Sequence, residues 1–475
     1  MAASEMAPFA ATGGLGDVLG ALPPALAALG ARVHVVLPAY RTAAITGAGT
    51  TTYTSLQIAA ADALREVDLR TLRHRGVAVS FVVADDYFAR DGLYGDERGD
   101  FADNAARFAF YARAVAALAA RLDPPPDVVH CHDWQAGLVP ALLRTSADPR
   151  LVRLPTVITI HNLGYQGIFA AEVWPLLGLD RRFFDPAHLE FHGQVNFLKA
   201  GLVFADRLTT VSRRYAEEIQ TPALGHGLDG VLRERRGALR GILNGIDTKH
   251  WDPACDPFLV APYDVDDLSG KAECKAHLQH DFGLPIRART LLVGMVTRLA
   301  EQKGLDILAP ALPALLAEDM QLIVLGRGDE RYERWLADAA RRHPTRLAVR
   351  FTFDEGLAHA IEAGADAFLM PSRYEPCGLN QMYSLRYGTV PIVRATGGLD
   401  DTIADVDVDP AHGTGFKFVE YAPEALLSAV RRALGRYADP AAWQHLMRTG
   451  MRRDNSWRRA ALAYLDLYRE LAADR

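Results

Sequence analysis

Short apolar runs rich in β-branched residues alternate along the chain with longer stretches whose apolar positions recur at helical spacing. That alternation is the mark of an α/β protein built on parallel sheets. In the first half, strands are expected at 33–37 (VHVVL), 127–131 (DVVHC, after Pro124-Pro125-Pro126), 156–160 (TVITI), 207–211 (RLTTV) and 239–243 (LRGIL). Helical patterns fall between them, as at 104–121 and 136–143. Pro23-Pro24 lies inside an apolar run and predicts a kink or a break, since proline in a helix interior costs about 3 kcal/mol.

Near residue 245 the pattern changes. Residues 245–284 carry Trp251, Pro253, Pro257, Pro262 and many aspartates, as in a connecting segment, with one short helix expected at 271–281. A second α/β series follows, with strands expected at 290–296, 321–325, 347–351, 367–370 and 390–394. The last stretch, 440–473, reads as helical. Two doubly wound domains of similar size account for this pattern, and no short-period repeat suggests a solenoid.

Composition narrows the picture. The 475 residues are 49% hydrophobic and 23% charged, as in an ordinary globular protein rather than a disordered or low-complexity chain. A net charge of −6 is a poor basis for non-specific nucleic-acid binding, and none is expected. Four cysteines (Cys131, Cys255, Cys274, Cys377) make neither a disulfide framework nor a C-x-x-C pair, which argues against a zinc site. The start MAASEMAPFAATGG has no basic region ahead of a long apolar run, and no 18 consecutive apolar residues occur. A cytoplasmic protein without membrane association is the expectation.

In open parallel sheets, ligands bind beyond the carboxyl ends of the strands, so the polar residues there are the candidates. Gly13 and Gly14 form a turn into a helix. They let an anion approach unpaired N–H groups, or merely pack a helix on a sheet. Asp133 and His161 follow successive strands, each with an aromatic neighbour (Trp134, Tyr165); together they point to a ligand crevice, although each alone could be a cap or a satisfied core residue. Arg298 and Lys303 (TRLAEQKGLD) stand before a helix, where cations oppose the helix dipole unless an anion lies between them. Lys303 is one of only six lysines. A diphosphate suits that arrangement; a solvated ion pair is the plain alternative. Gly326 follows a strand at another point of close approach. Phe353 could stack on a base or belong to the core. Glu375 precedes Cys377, Gly378 and Leu379 at a helix start, as a cap or as a carboxylate at the rim of a phosphate cradle. Thr396 and Gly397 lie in a second glycine turn.

The motifs SEMAPFAATGGLGDV, HCHDWQAGLVPALL, TIHNLGYQGIF, VNFLKAGLVFADRLTTVS, GILNGIDTKHWDP, TRLAEQKGLDIL, GADAFLMPSRYEPCGLNQMYSLRYGT and RATGGLDDTI, in this order, resemble the bacterial glycogen synthase family end to end. These are retaining GT-B glycosyltransferases of glycosyltransferase family 5 that use a nucleotide sugar. The resemblance implies two Rossmann-like domains facing a cleft: residues 1–245 for the glucan, 246–454 for the nucleotide sugar, and 455–475 as a helix crossing back to the first. It implies ADP-glucose and an α-1,4-glucan as substrates, with no cofactor and no metal. Arg298 and Lys303 would neutralise the departing diphosphate, and Glu375 would contact the donor glucose. Cys377–Leu379 would offer backbone to phosphate or sugar, with Gly326, Thr396 and Gly397 in the same donor site. His161 would approach the sugar; Asp133 and Asn244 would line the acceptor and glucose side; Gly13 and Gly14 would approach the pyrophosphate; Phe353 would lie against the adenine.

Three departures stand out. Ala11 occupies the place of a family lysine that reaches the diphosphate, a charge-assisted bond worth about 1.5–3 kcal/mol. Only Met1-Ala2-Ala3 precede Ser4-Glu5, where the family has a central strand. That reads as a misplaced start or a truncation, and it predicts an open gap in the sheet. Gln135 replaces a common histidine. The alternatives are a same-fold transferase using UDP-glucose or a small acceptor, and a weakly active glucan-binding homologue.

Overall fold

The computed structural model describes residues 1–41, 52–59 and 64–473, which form two compact units: Met1–Asn244 with Trp457–Arg475, and Gly245–Ser456. The first unit holds strands β1 (His34–Pro38), β2 (Thr52–Ala59), β3 (Leu64–His74), β4 (Val77–Val83), β5 (Val129–His132), β6 (Thr156–Ile160), β7 (Arg207–Thr210) and β8 (Leu239–Gly241). Their order is β2-β3-β4-β1 on one side and β5-β6-β7-β8 on the other. β4–β1 and β5 to β8 pair in parallel, whereas β3 is antiparallel to both its neighbours.

The expected gap between the two halves is bridged. Ala2 N donates to His130 O (2.8 Å) and its carbonyl accepts from His132 N (3.0 Å). On the other side Val36 N donates to Met1 O (2.9 Å) and Ala3 N to Val36 O (3.3 Å). Three residues therefore supply the central position at the carboxyl side of the sheet, because two backbone groups on each face suffice to link β1 to β5. Towards the amino edge a cavity of about 930 Å³ remains, lined by His34, Val128, Val129, His130 and Tyr468 among others. The correction is thus partial: the sheet is joined where ligands bind and hollow at its opposite edge.

Two further expectations change. Helix Gly14–Ala28 runs through Pro23 and Pro24 without a break. Leu15, Val18, Leu19, Leu22 and Leu26 are all buried in the core of this unit, and that burial outweighs the two lost helix hydrogen bonds. The C-terminal stretch is two helices, Pro440–Met451 in the second unit and Trp457–Ala473 in the first. The break opens with a turn at Arg452 and Arg453 and is followed by Asn455, whose carbonyl accepts from Ile246 N (2.8 Å). Trp457, Ala461, Tyr464, Leu467 and Leu471 then bury one face of the final helix in the same core as Gly14–Ala28.

The second unit is a wholly parallel six-stranded sheet. Its strands are β9 (Leu291–Val296), β10 (Met320–Leu325), β11 (Leu347–Arg350), β12 (Ala367–Met370), β13 (Val390–Arg394) and β14 (Phe416–Phe418). The order β11-β10-β9-β12-β13-β14 reverses direction between β9 and β12, the switch point where such sheets open a crevice. No helix among the described residues is long and apolar enough to cross a membrane.

Candidate functional site

In the second unit every candidate follows a strand's carboxyl end. Arg298 and Lys303 lie after β9, Gly326 after β10, Phe353 after β11, Glu375 to Leu379 after β12, and Thr396 and Gly397 after β13. The residues after β9 and β12 meet at the switch point. Lys303 Nζ donates to Glu375 Oε2 at 2.6 Å, and Ser372 Oγ donates to the same oxygen at 3.1 Å. Glu375 is buried and Lys303 half-buried. Arg298 is exposed; its guanidinium reaches Gln302 Oε1 (3.5 Å), whose amide nitrogen donates to the Tyr374 carbonyl (3.3 Å). Both cations thus belong to one cluster around residues 374–375.

The segment after β12 is held down by the second glycine turn. Gly398 N donates to the Glu375 carbonyl at 3.0 Å. A Cβ at Gly397 would lie 1.9 Å from that carbonyl, at φ +46°, so only glycine lets the two loops close on each other. Thr396 is the buried residue before helix Gly397–Thr402, and Cys377 is buried beside it. Gly378 and Leu379 are half-buried and lead into helix Asn380–Arg386. Gly326 approaches protein, not open space: a Cβ there would meet the Thr297 carbonyl at 1.7 Å. Phe353 is 75% exposed, which excludes the core reading and leaves its ring free to stack.

In the first unit the candidates also gather at carboxyl ends. Asp133 follows β5, His161 follows β6 and Asn244 follows β8. Asp133 has φ 56° and ψ −172°, a conformation almost confined to glycine that costs about 1–3 kcal/mol. It is held there by its own N–H donating to the Thr159 carbonyl (3.0 Å) and by its Oδ1 accepting from His161 N (2.7 Å). Burial raises the Asp133 carboxyl to about 7. Desolvation also lowers the His161 imidazole to about 3, so it is neutral at ordinary pH. Its Nε2 lies 3.0 Å from Nδ1 of fully buried His132, which orients the ring. Asn244 is buried, and its Oδ1 has no hydrogen-bond partner among the described residues.

The glycine turn separates into two jobs. Gly13 and Gly14 are exposed, and a Cβ added at either would meet nothing within 4 Å, so the turn is open to a ligand. Gly16 does the packing, since a Cβ there would be 2.4 Å from Ala11 Cβ. Glu5 anchors this loop. Its carboxylate accepts from Thr12 N (2.6 Å), Thr12 Oγ1 (2.8 Å) and the Tyr94 hydroxyl (2.5 Å). Neither Glu5 nor His132 was singled out by sequence reasoning, although both lie inside motifs that it quoted, SEMAPF and HCHD. Trp134, expected beside a ligand, is buried in an aromatic cluster with Phe108 and Phe169. Tyr165 is 55% exposed.

Residues 1–234 match the family model described as starch synthase catalytic domain, and residues 279–445 match glycosyl transferases group 1. A glycogen synthase of Anaeromyxobacter dehalogenans is 54% identical over 478 residues, covering 100% of this chain and 99% of that protein. The chain belongs to the glycogen synthase family. A glycogen synthase of Syntrophotalea carbinolica is 50% identical, covering 99% of this chain and 98% of its own length. The catalytic domain of starch synthase IV from Arabidopsis thaliana, solved bound to ADP and acarbose, has a TM-score of 0.90 at 33% identity, covering 99% of this chain and 98% of its own. A sucrose-phosphate synthase from Thermosynechococcus elongatus shares the fold, with a TM-score of 0.60 at 21% identity and coverage of 98% and 95%. The fold is therefore GT-B, and the chain is a nucleotide-sugar-dependent glycosyltransferase.

Proposed function

We propose that the chain transfers glucose from ADP-glucose to the non-reducing end of an α-1,4-glucan, with retention at the anomeric carbon. The observation that carries this reading is the pairing of Lys303 with Glu375, with Arg298 in the same cluster, at the switch point of the second unit. The relatives named glycogen synthase, and the ADP in the starch synthase structure, support the choice of donor and acceptor.

The mechanism follows from charge. Cleavage of the anomeric C–O bond leaves its electron pair on the diphosphate, and positive charge builds on the sugar. Lys303, held by Glu375, and the exposed Arg298 stabilise the departing anion, the electrostatic contribution that is commonly the largest in such sites. They carry the charge that a divalent cation carries in other transferases, and no metal enters the scheme. The acceptor 4-hydroxyl oxygen bonds to the anomeric carbon on the face the diphosphate leaves. Its proton passes to the departing phosphate oxygen, so ADP is the product and configuration is retained. No pair of protein carboxylates is needed, unlike in a glycosidase.

The remaining residues position. Glu375 holds the donor glucose hydroxyls, and the backbone of Cys377 to Leu379, with Gly326, Thr396 and Gly397, borders the donor. Phe353 offers its exposed ring to the adenine. Gly13 and Gly14 leave room for the pyrophosphate. His161, neutral, lies near the developing oxocarbenium without adding a repelling charge. Asp133 and Asn244, whose Oδ1 has no partner among the described residues, face the glucose and acceptor. The reading includes a cytoplasmic location for the reaction.

Ala11, exposed in place of the family lysine, favours a second reading in which the donor is bound weakly or is another sugar nucleotide such as UDP-glucose. One assay separates the two: labelled glucose incorporation into glycogen from ADP-glucose and UDP-glucose in parallel, with Glu375→Ala as control. Incorporation from ADP-glucose that Glu375→Ala abolishes is the expected result. Incorporation from UDP-glucose alone, or from neither, overturns the proposal.

A further inference from the structure

Helix Glu355–Gly364 and the segment before Trp251 bring together three side chains that glucosyl transfer leaves unused. One ligand atom each from His250, Glu355 and His359 lies within 4.8 Å of the others. His250 Nε2 is already 2.9 Å from Glu355 Oε1, close to the spacing of two ligands on one ion with bonds of about 2.0–2.2 Å. Both side chains are exposed and can close the remaining distance.

His359 is the fixed member. Its side chain is fully buried, and its Nδ1 is 2.7 Å from Asp256 Oδ2, an oxygen that also accepts from the Tyr387 hydroxyl at 2.5 Å. The ring is stacked on Trp251, with centroids 3.7 Å apart and planes 12° from parallel. A carboxylate on Nδ1 places the proton there and leaves the lone pair on Nε2, and that Nε2 is buried with no hydrogen-bond partner among the described residues. A histidine oriented by a carboxylate, with its other nitrogen unpaired, is the usual outer-shell arrangement behind a metal ligand.

We propose that His250 Nε2, a Glu355 carboxylate oxygen and His359 Nε2 bind one divalent transition-metal ion of the zinc type, with Asp256 as the orienting carboxylate. Two imidazoles and one carboxylate suit zinc and leave a fourth position for water. The cysteine pattern argued against a zinc site; this one uses no cysteine. It shares no residue with the Arg298, Lys303 and Glu375 cluster. Its effect is to tie the chain at His250 to the start of helix Glu355–Gly364, two residues beyond Phe353.

The test uses the full chain carrying Cys255→Ser, because the exposed Cys255 thiol could capture zinc by itself. Calorimetric titration with Zn²⁺ is expected to show one saturable equivalent, and bound Zn²⁺ is expected to raise the melting temperature. His250→Ala and Glu355→Gln are each expected to weaken Zn²⁺ binding by about tenfold or more, on the scale of losses at metal-site positions. The melting temperature without metal should stay at the parent value, which separates ligand loss from misfolding. Co²⁺ should give a d–d absorption band without thiolate charge transfer, and both variants should lose it. No saturable uptake, or Zn²⁺ affinity that neither variant changes, overturns the proposal and leaves a surface His–Glu pair beside a buried histidine.

Discussion

Two lysine–carboxylate pairs sit at opposite ends of the same two strands. At the amino ends of β9 and β12, Lys275 Nζ is 2.6 Å from Asp366 Oδ2; at the carboxyl ends, Lys303 Nζ is 2.6 Å from Glu375 Oε2. The ion-pair distance is the same and the surroundings differ. Lys275 is buried and also donates to the Ala288 and Thr290 carbonyls (3.0 and 2.8 Å) and lies 2.8 Å from the Tyr437 hydroxyl, while Asp366 Oδ2 also accepts from Leu292 N. Every donor of that ammonium is spoken for. Lys303 has Glu375 as its partner among the described residues and is 22% exposed, so it has donors in reserve. The first pair closes the sheet, and the second is poised to take a ligand. A short ion pair is therefore not informative about function; the donors left over are.

The sharpest way to break this contrast is to remove each lysine in turn. Lys275→Ala strands the largely enclosed Asp366 carboxylate and takes the donor from the Ala288 and Thr290 carbonyls, and should cost about 3–5 kcal/mol in urea unfolding. Lys303→Ala should lower glucosyl transfer about 10²–10³-fold, as expected for losing one preorganised stabiliser of transition-state charge. Its stability should fall by less than that of Lys275→Ala: Glu375 is buried too, but Lys303 gives up one partner where Lys275 gives up four. Equal stability losses in the two variants would erase the distinction between the two ends. Ala11→Lys should sharpen it from the other side by adding a cation, tightening donor binding about 10- to 100-fold. Unchanged donor affinity in calorimetry would refute the missing-lysine argument.

The smallest effect is a slope. Folding raises the Asp133 carboxyl from 3.8 to about 7, so the native state holds this proton where the unfolded chain has released it. The contribution is full below about pH 4 and is lost as pH rises towards 7. The wild type should lose stability relative to Asp133→Asn across that window, and the difference should level off above it. A pH-independent difference would mean that the carboxyl is not desolvated as described.

Much of this was legible in the sequence, for identifiable reasons. Strands at 156–160, 367–370 and 390–394 are short apolar runs bounded by turn residues, buried on both faces, and they appear at those positions. The candidates after β9 and β12 could be named because a parallel sheet presents its carboxyl ends to ligands. Strands β2 to β4 were missed. In β3 the signal is alternation, with buried Val67 and Leu69 between exposed Glu66 and Asp68, the mark of an antiparallel strand wet on one face rather than of a buried parallel one. The proline pair predicts a break on local helix cost alone, whereas the buried leucines of the same helix outweigh that cost. Trp134 misled because proximity in sequence to Asp133 says nothing of direction: the backbone turns at Asp133 and sends the indole into the core. His132 escaped notice because its role, orienting His161, exists only when β5 and β6 are paired.

The central claim is that Arg298 and Lys303 hold a diphosphate. The most direct measurement is calorimetric binding of ADP and of AMP to the wild type and to Arg298→Ala/Lys303→Ala. The account predicts that the wild type binds ADP more tightly than AMP by about tenfold or more, the scale of one charge-assisted contact. In the double variant that ratio should fall towards one while AMP binding stays nearly unchanged. An ADP-to-AMP preference that survives the loss of both cations would contradict it.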